Sequence, residues 1–224
     1  MKVISKLKDD ALTSHLLNFY YKHLSTSDCE RLPQLVYIDC KNSFPVRSFQ
    51  AKLDQIPRPP HYTRQLLFES VRIMVCLELA DFEDIVRKLY QNIAADRATR
   101  HHSHSNNPPA DSDINNRLAK QTLVVISGLD VMYRTSQVLD PTTAHRHLND
   151  ALLRLRMLSN KAPSTDFEVH IILPHSEFQK SCLTDGHATA RMPPENNNHA
   201  KRAKPNWHGH GNTLGDYIIR FYTT

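Results

Sequence analysis

The sequence predicts an α/β domain with a mainly parallel central sheet. Three observations carry this. Short apolar, β-branched runs alternate with amphipathic stretches of ten or more residues, the signature of β–α–β crossovers. The clearest strand, Thr122 to Ile126, places four consecutive apolar residues between polar Gln121 and Ser127-Gly128, as expected where both sheet faces are covered. No internal repeat is present, and 224 residues with 40% hydrophobic content suit one domain over 1–224 that buries a core.

The elements follow in order. Met1 to Ser5 is short and apolar, a first strand. Ser14 is placed to cap a helix in which Leu16, Leu17, Tyr20, Tyr21 and Leu24 share one face. After Pro33, Leu35 to Ile38 reads as a buried strand ending in Asp39. Residues 41–65 are Pro-rich and loop-like, with Phe44, Val46, Phe49 and Leu53 as apolar anchors. Val71 to Cys76 reads as a strand, and Asp81 as the cap of a helix carrying Phe82, Ile85, Val86, Leu89, Tyr90 and Ile93.

Residues 96–117 are poor in apolar side chains and rich in His, Asn, Ser and Pro. Such a stretch does not repay its ordering entropy and is expected to be a disordered insertion. A helix is predicted around His145 to Ser159, striped by Leu148, Ala151, Leu152, Leu155 and Leu158, and then a strand from Val169 to Leu173. Residues 184–213 form a second polar segment, expected to be a flexible basic loop. Leu214, Tyr217, Ile218, Phe221 and Tyr222 fit a terminal helix or a closing strand.

Glycine placement excludes function classes. The first glycine is Gly128, and neither GxxxxGK[ST] nor GxGxxG occurs, whereas a phosphate-cradling loop needs glycines for close backbone approach. A conventional nucleotide-dependent enzyme is not expected. Ser127-Gly128 lacks the flanking GxSxG elbow of a hydrolase. Cys29, Cys40, Cys76 and Cys182 form no CxxC pair and read as reduced intracellular thiols, mostly in the core, rather than a disulfide frame or zinc site. The clusters His101-His102-Ser103-His104 and His208-Gly209-His210 lie in segments without expected fixed structure, so no metal site is predicted. The longest apolar runs are too short to span a bilayer, and Asp9-Asp10 leave no room for a secretory h-region.

The net charge of +5 is compatible with an anionic partner. Its densest expression is AKRAKPNW, with Lys201, Arg202 and Lys204, and Arg191 upstream. Such side chains suit phosphate contact without base readout, and Trp207 is an aromatic for stacking on an unpaired base. By composition alone a solvated loop explains these residues as well. Phe44 follows a buried strand in Asn42-Ser43-Phe44-Pro45; Pro45 favours extended geometry before it. The ring is either an outward protein-binding anchor or an ordinary core aromatic.

Three segments resemble the RecA-family recombinase core: QLVYIDCKNSFPVRSF as a core strand with its Phe-Pro turn, TLVVISGLDVMYRTSQ as the Walker B strand and its continuation, and HLNDALLRLRMLSN before FEVHIIL as the next helix and strand. Together with ESVRIMVCLEL and GNTLGDYIIRFY, they are similar to recombinase-paralogue subunits of the fungal Shu complex. The sequence departs from active recombinases where chemistry is needed. Lys6-Leu7-Lys8-Asp9-Asp10 stands at the phosphate loop, Ser127 at the Walker B carboxylate, and Asp130 is out of phase with the strand end. The resemblance implies a RecA-like fold without a functional P-loop, and a nuclear, non-enzymatic DNA-binding subunit without cofactor. It implies that this subunit is an obligate heterodimer with a second degenerate paralogue and helps a recombinase filament assemble. Lys201, Arg202, Lys204 and Arg191 would contact DNA, and Phe44 a recombinase-paralogue partner. A protein-only adaptor and a degenerate ATP-binding paralogue are the competing classes.

Overall fold

The computed structural model describes residues 1–5, 9–24, 32–56, 63–103, 121–160, 167–178 and 213–223. Five strands, β1 (Lys2–Ser5), β2 (Gln34–Asp39), β3 (Val71–Val75), β4 (Thr122–Ser127) and β5 (Phe167–Leu173), form one sheet in the order β1-β5-β4-β2-β3. Every pairing is parallel. The helices are α1 (Asp9–Leu24), α2 (Val46–Leu53), α3 (Arg64–Glu69), α4 (Leu79–Ser103), α5 (Leu129–Leu139), α6 (Pro141–Asn160) and α7 (Leu214–Tyr222), with a 3-10 turn at His175–Glu177. The architecture is α/β and consistent with a RecA-like core.

Alternation along the central strands divides the core in two. Val36 and Ile38 of β2, Val124 and Ile126 of β4, and Val169 and Ile171 of β5 face the layer of α4, α5, α6 and α7, where Phe82, Val86, Leu148, Leu152 and Leu155 meet them. Leu35, Tyr37, Leu123, Val125 and Ile172 face α1, α2 and α3, covered by Leu16, Tyr20, Phe49, Leu53 and Leu67. With both faces covered, the central strands read as unbroken apolar runs.

Several local expectations are corrected. Helix α1 begins at Asp9, so Ser14 lies inside it rather than at its cap. Residues 41–65 hold helix α2 and the start of α3. Phe49 and Leu53, four residues apart, bury one side of α2, whose N-cap is Pro45, and the Thr63 hydroxyl caps α3 by accepting the Leu66 N–H at 3.3 Å. Asp81 sits within the first turn of α4 and reaches back, its carboxylate accepting the Leu77 N–H at 3.4 Å. Helix α4 runs on to Ser103, so residues 96–103 of the expected disordered insertion are helical. Within that stretch Arg97 and Ala98 are strong helix formers. Residues 104–117 lie outside the described residues.

The continuation of the Walker B-like segment, to which the sequence reading assigns no element, is helix α5, capped at Gly128, with Leu129, Met132 and Tyr133 buried. Helix α6 starts at Pro141, four residues before His145. Asp140 caps it, Oδ1 accepting the Thr142 and Thr143 N–H groups at 3.0 and 3.1 Å, and Pro141 takes the first helical position, where no N–H partner is needed. The C-terminal segment is the helical alternative, opened by a capping box between Thr213 and Asp216.

A polar pair, buried His170 and half-buried His15, packs between α1 and β5. His15 Nε2 lies 3.0 Å from His170 Nδ1, and His170 Nε2 is 3.2 Å from Glu168 Oε2. Lys2 of β1 and Lys22 of α1 reach Glu168 at 3.4 and 4.0 Å. Burial holds both histidines below their ordinary 6.5, with Lys2 adding to the effect and Glu168 opposing it; His170, also repelled by His15, falls to about 4. The unfolded chain therefore takes up protons at pH values where the folded chain does not. This contribution is complete above about pH 6.5 and is lost as the pH falls toward about 4. Thermal denaturation followed by circular dichroism should show the midpoint dropping across that window. His170→Asn should flatten the drop, and a wild-type slope in that variant would remove the pair from the acid response.

Candidate nucleic-acid interface

In an open parallel sheet the accessible crevice lies beyond the carboxyl ends of neighbouring strands whose exits run to opposite faces. Here β2 exits toward α2 on one face and β4 toward α5 on the other. Asp39, at the end of β2, is 1% exposed. Its Oδ1 accepts the Lys41 N–H at 3.1 Å, and Oδ2 accepts those of Ser43 and Phe44, both at 2.7 Å. These bonds fold residues 40–44 into a tight turn in which Asn42 takes φ 53°, a left-handed conformation Asn tolerates better than most residues.

The exit of β4 is pressed against this turn. Gly128 has φ +82°, and a Cβ there would lie 2.3 Å from Lys41 Cγ and 3.2 Å from the Cys40 carbonyl carbon. The position thus requires glycine twice over, for its dihedral and for the approach. Asp130, buried in the first turn of α5, has Oδ1 3.7 Å from Lys41 Nζ. Its carboxylate is engaged by the protein's own cation, one helical turn beyond the strand end where Ser127 stands. Of the Lys6 to Asp10 segment, Lys6 to Lys8 lie outside the described residues, and Asp9 and Asp10 open α1.

Phe44 projects from the Asp39-held turn and is half-buried. Its ring centroid lies 4.5 Å from that of Tyr37 and 5.3 Å from that of Phe49, so one side packs on the α1–α2 layer while flanking Ser43, Val46 and Arg47 are exposed.

The second feature of this edge is the stem from which residues 179–212 depart. After β5, Pro174 leads into the 3-10 turn, and the chain re-enters at Thr213. Glu177 joins the two ends although it is 1% exposed. Its backbone carbonyl accepts the Thr213 hydroxyl proton, its Oε2 accepts the Leu214 N–H at 2.9 Å, and its carboxylate pairs with Arg134 of α5. A Cβ on Gly215 would meet the Glu177 carbonyl oxygen at 2.5 Å, so the approach of the two ends depends on a glycine. Arg191, Lys201, Arg202, Lys204 and Trp207 all belong to the span between these ends and lie outside the described residues.

Sequence reading missed Asp39, Glu177, Arg134, Thr213 and Gly215 as organisers of this edge. Thr213-x-x-Asp216 was a legible capping signal; the rest depends on contacts distant in sequence. Arg154 and Arg156 hold helices together. Arg154 and His147 share Glu83 across α4 and α6, and Arg156 donates to the Phe221 carbonyl at 2.7 Å. The His147 hydrogen bond, helped by Arg154, holds the Glu83 carboxyl below its ordinary range. Among the described residues no group of three or more His, Cys, Asp or Glu side chains is placed to hold a metal ion. No helix among them is long and apolar enough to cross a membrane.

Comparison with known proteins gives this geometry a family. The model of the family described as "Shu complex component Csm2, DNA-binding" matches residues 6–223. The chain is 39% identical over 224 residues to "Chromosome segregation in meiosis protein 2" of Eremothecium gossypii, covering 100% of this chain and 99% of that protein. The protein of the same name from Kluyveromyces lactis is 31% identical over 196 residues, 84% of this chain and 88% of the relative. The Saccharomyces cerevisiae protein is 29% identical over 193 residues, 84% and 81% of the two chains. With a family match running almost end to end over a RecA-like core, the chain belongs to the family of the DNA-binding Shu complex component Csm2.

Proposed function

We propose that this chain is a non-catalytic subunit of a nuclear recombinase-paralogue complex. It binds the phosphate backbone of DNA through Arg191, Lys201, Arg202 and Lys204 and helps a strand-exchange recombinase assemble its filament. The role falls in homologous recombination and error-free tolerance of DNA damage, and in meiosis it bears on chromosome segregation, as the relatives' name has it. The observation that carries the reading is the closed stem at Glu177 and Thr213, which gives the basic span one point of departure at the carboxyl end of the sheet. The DNA-binding description of the family supports the DNA contact itself.

The heterodimer expected with a second degenerate paralogue, the platinum-sensitivity subunit of the same complex, fits this arrangement physically. Two modest basic segments held side by side bind as one site at high effective concentration, so neither needs strong affinity alone. Phe44 offers the contact to a recombinase-paralogue partner, its packed side fixing the ring and its other side available for docking.

Two measurements test this. Replacing Lys201, Arg202 and Lys204 together by Ala should weaken DNA binding by the intact complex at least roughly tenfold and lower the salt slope by about 2–3. Fluorescence anisotropy across a salt series reads both quantities. An unchanged slope would favour the protein-only adaptor, and retention of labelled ATP in equilibrium dialysis would favour the ATP-binding paralogue. For Phe44, alanine is a poor probe, because losing contacts with Tyr37 and Phe49 should itself cost about 1–2 kcal/mol. Phe44→Leu should keep the thermal midpoint within about 4 °C while capture of the recombinase-paralogue partner falls severalfold. Full capture by a stable Leu variant would return Phe44 to a packing role.

A further inference from the structure

The ends of β2 and β3 carry a pair of thiols that neither the fold nor the proposed DNA contacts require. The register pairs Asp39 with Val75, and the Cys76 N–H continues the ladder by donating to the Asp39 carbonyl at 3.2 Å. Cys40 and Cys76 are therefore the next opposed pair, and both side chains face the α4–α7 layer. Their sulfurs are 3.4 Å apart, and both are free. Neighbouring strands hold opposed Cα atoms about 4.8 Å apart, within the span that a disulfide bridges. Closing the bond needs little more than an ångström of approach between sulfurs already in contact. Cys76 is buried, whereas Cys40 is partly exposed beside the Asp39-held turn, so the pair has one face open to a small oxidant.

We propose that Cys40 and Cys76 form a reversible intrachain disulfide, closed by hydrogen peroxide and reopened by glutathione. One sulfur attacks a peroxide oxygen, the O–O bond breaks, and a sulfenic acid and one water result. The second sulfur attacks the sulfenic sulfur, the S–S bond forms, and the hydroxyl leaves as a second water. Two thiols give up two electrons and two protons, and one peroxide accepts them. Two glutathione thiols reverse the reaction by exchange, becoming oxidised glutathione.

The electrostatics set the pace. The hydrogen bond between the thiols pushes Cys40 up and holds Cys76 down, so the proton is shared unequally and Cys76 has the more thiolate-like sulfur. Nearby Asp39, Asp81 and Asp130 oppose thiolate formation at one sulfur or the other. The pair is thus slower than a dedicated redox sensor in a positive environment, and it remains reduced until peroxide is sustained. Once closed, the bond would tie edge strand β3 to interior strand β2 directly beneath the turn that carries Phe44.

The test uses the full chain with Cys29→Ser and Cys182→Ser, so that only this pair reports. After peroxide, mass spectrometry of alkylated protein should show both thiols lost together, with peptides containing Cys40 and Cys76 joined. Glutathione should restore both alkylation sites. The thermal midpoint of the oxidised form should rise by roughly 5–10 °C, and denaturant present during oxidation should slow closure at least roughly tenfold, because the fold supplies the alignment. Continued alkylation of both thiols, independent conversion to sulfinic or sulfonic acids, or equally fast closure in denaturant would each overturn the assignment.

Discussion

A carboxylate taken out of water must collect donors or destabilise what surrounds it, and the carboxyl-end edge of the sheet is arranged around two that do so. Asp39 gathers three backbone N–H groups within five residues of itself. The result is a turn whose shape is set by a side chain rather than by glycine, in a chain with no glycine before position 128. Glu177 instead gathers donors from distant segments, the Leu214 N–H and the Arg134 guanidinium. Asp39 therefore fixes local geometry, while Glu177 ties β5, α5 and α7 together.

The same constraint shapes the strand ends of this RecA-like scaffold. A crevice between diverging strands invites a ligand because backbone and side chains there lack neighbours. Here the protein supplies neighbours of its own. Gly128 lets the exit of β4 press against Lys41, and the Lys41 ammonium sits beside buried Asp130. Two side chains at the strand ends thus face each other, the Lys41 ammonium against the Asp130 carboxylate.

Periodicity made the strands and the long helices legible. The apolar runs of β2, β4 and β5, and the stripes of α4 and α6, are long enough to separate a period of two from one of 3.6. Helix α2 was hidden by Pro45 and by having only Phe49 and Leu53 to bury. Helix α5 was hidden by Val131 and Tyr133, whose strand preference tertiary packing overrides. The cap readings at Ser14 and Asp81 found suitable residue types but could not fix position, since both also occur inside a first or second turn. Pro45 pointed to the Phe44 turn. The stem stayed unread because Glu177 and Leu214 are 37 residues apart in sequence, as did the His15–His170 pair, separated by 155.

That separation bears on how the stem works. The entropy of closing a loop rises slowly with length, each doubling adding only about 0.6 kcal/mol, so residues inserted between Phe178 and Thr213 would cost little. Releasing one end is a different matter. The Thr213 hydroxyl, the Leu214 N–H and the Arg134 side chain all converge on one buried residue, and Gly215 must lie against its carbonyl. Loss of any one leaves polar groups buried without partners, each at about 1–3 kcal/mol. Length and composition of the intervening span are therefore free to vary, while its two points of attachment are not. A surface that recognises phosphates by charge tolerates that freedom well, because its affinity depends on how many cations it brings to one place and little on the path of the chain that carries them.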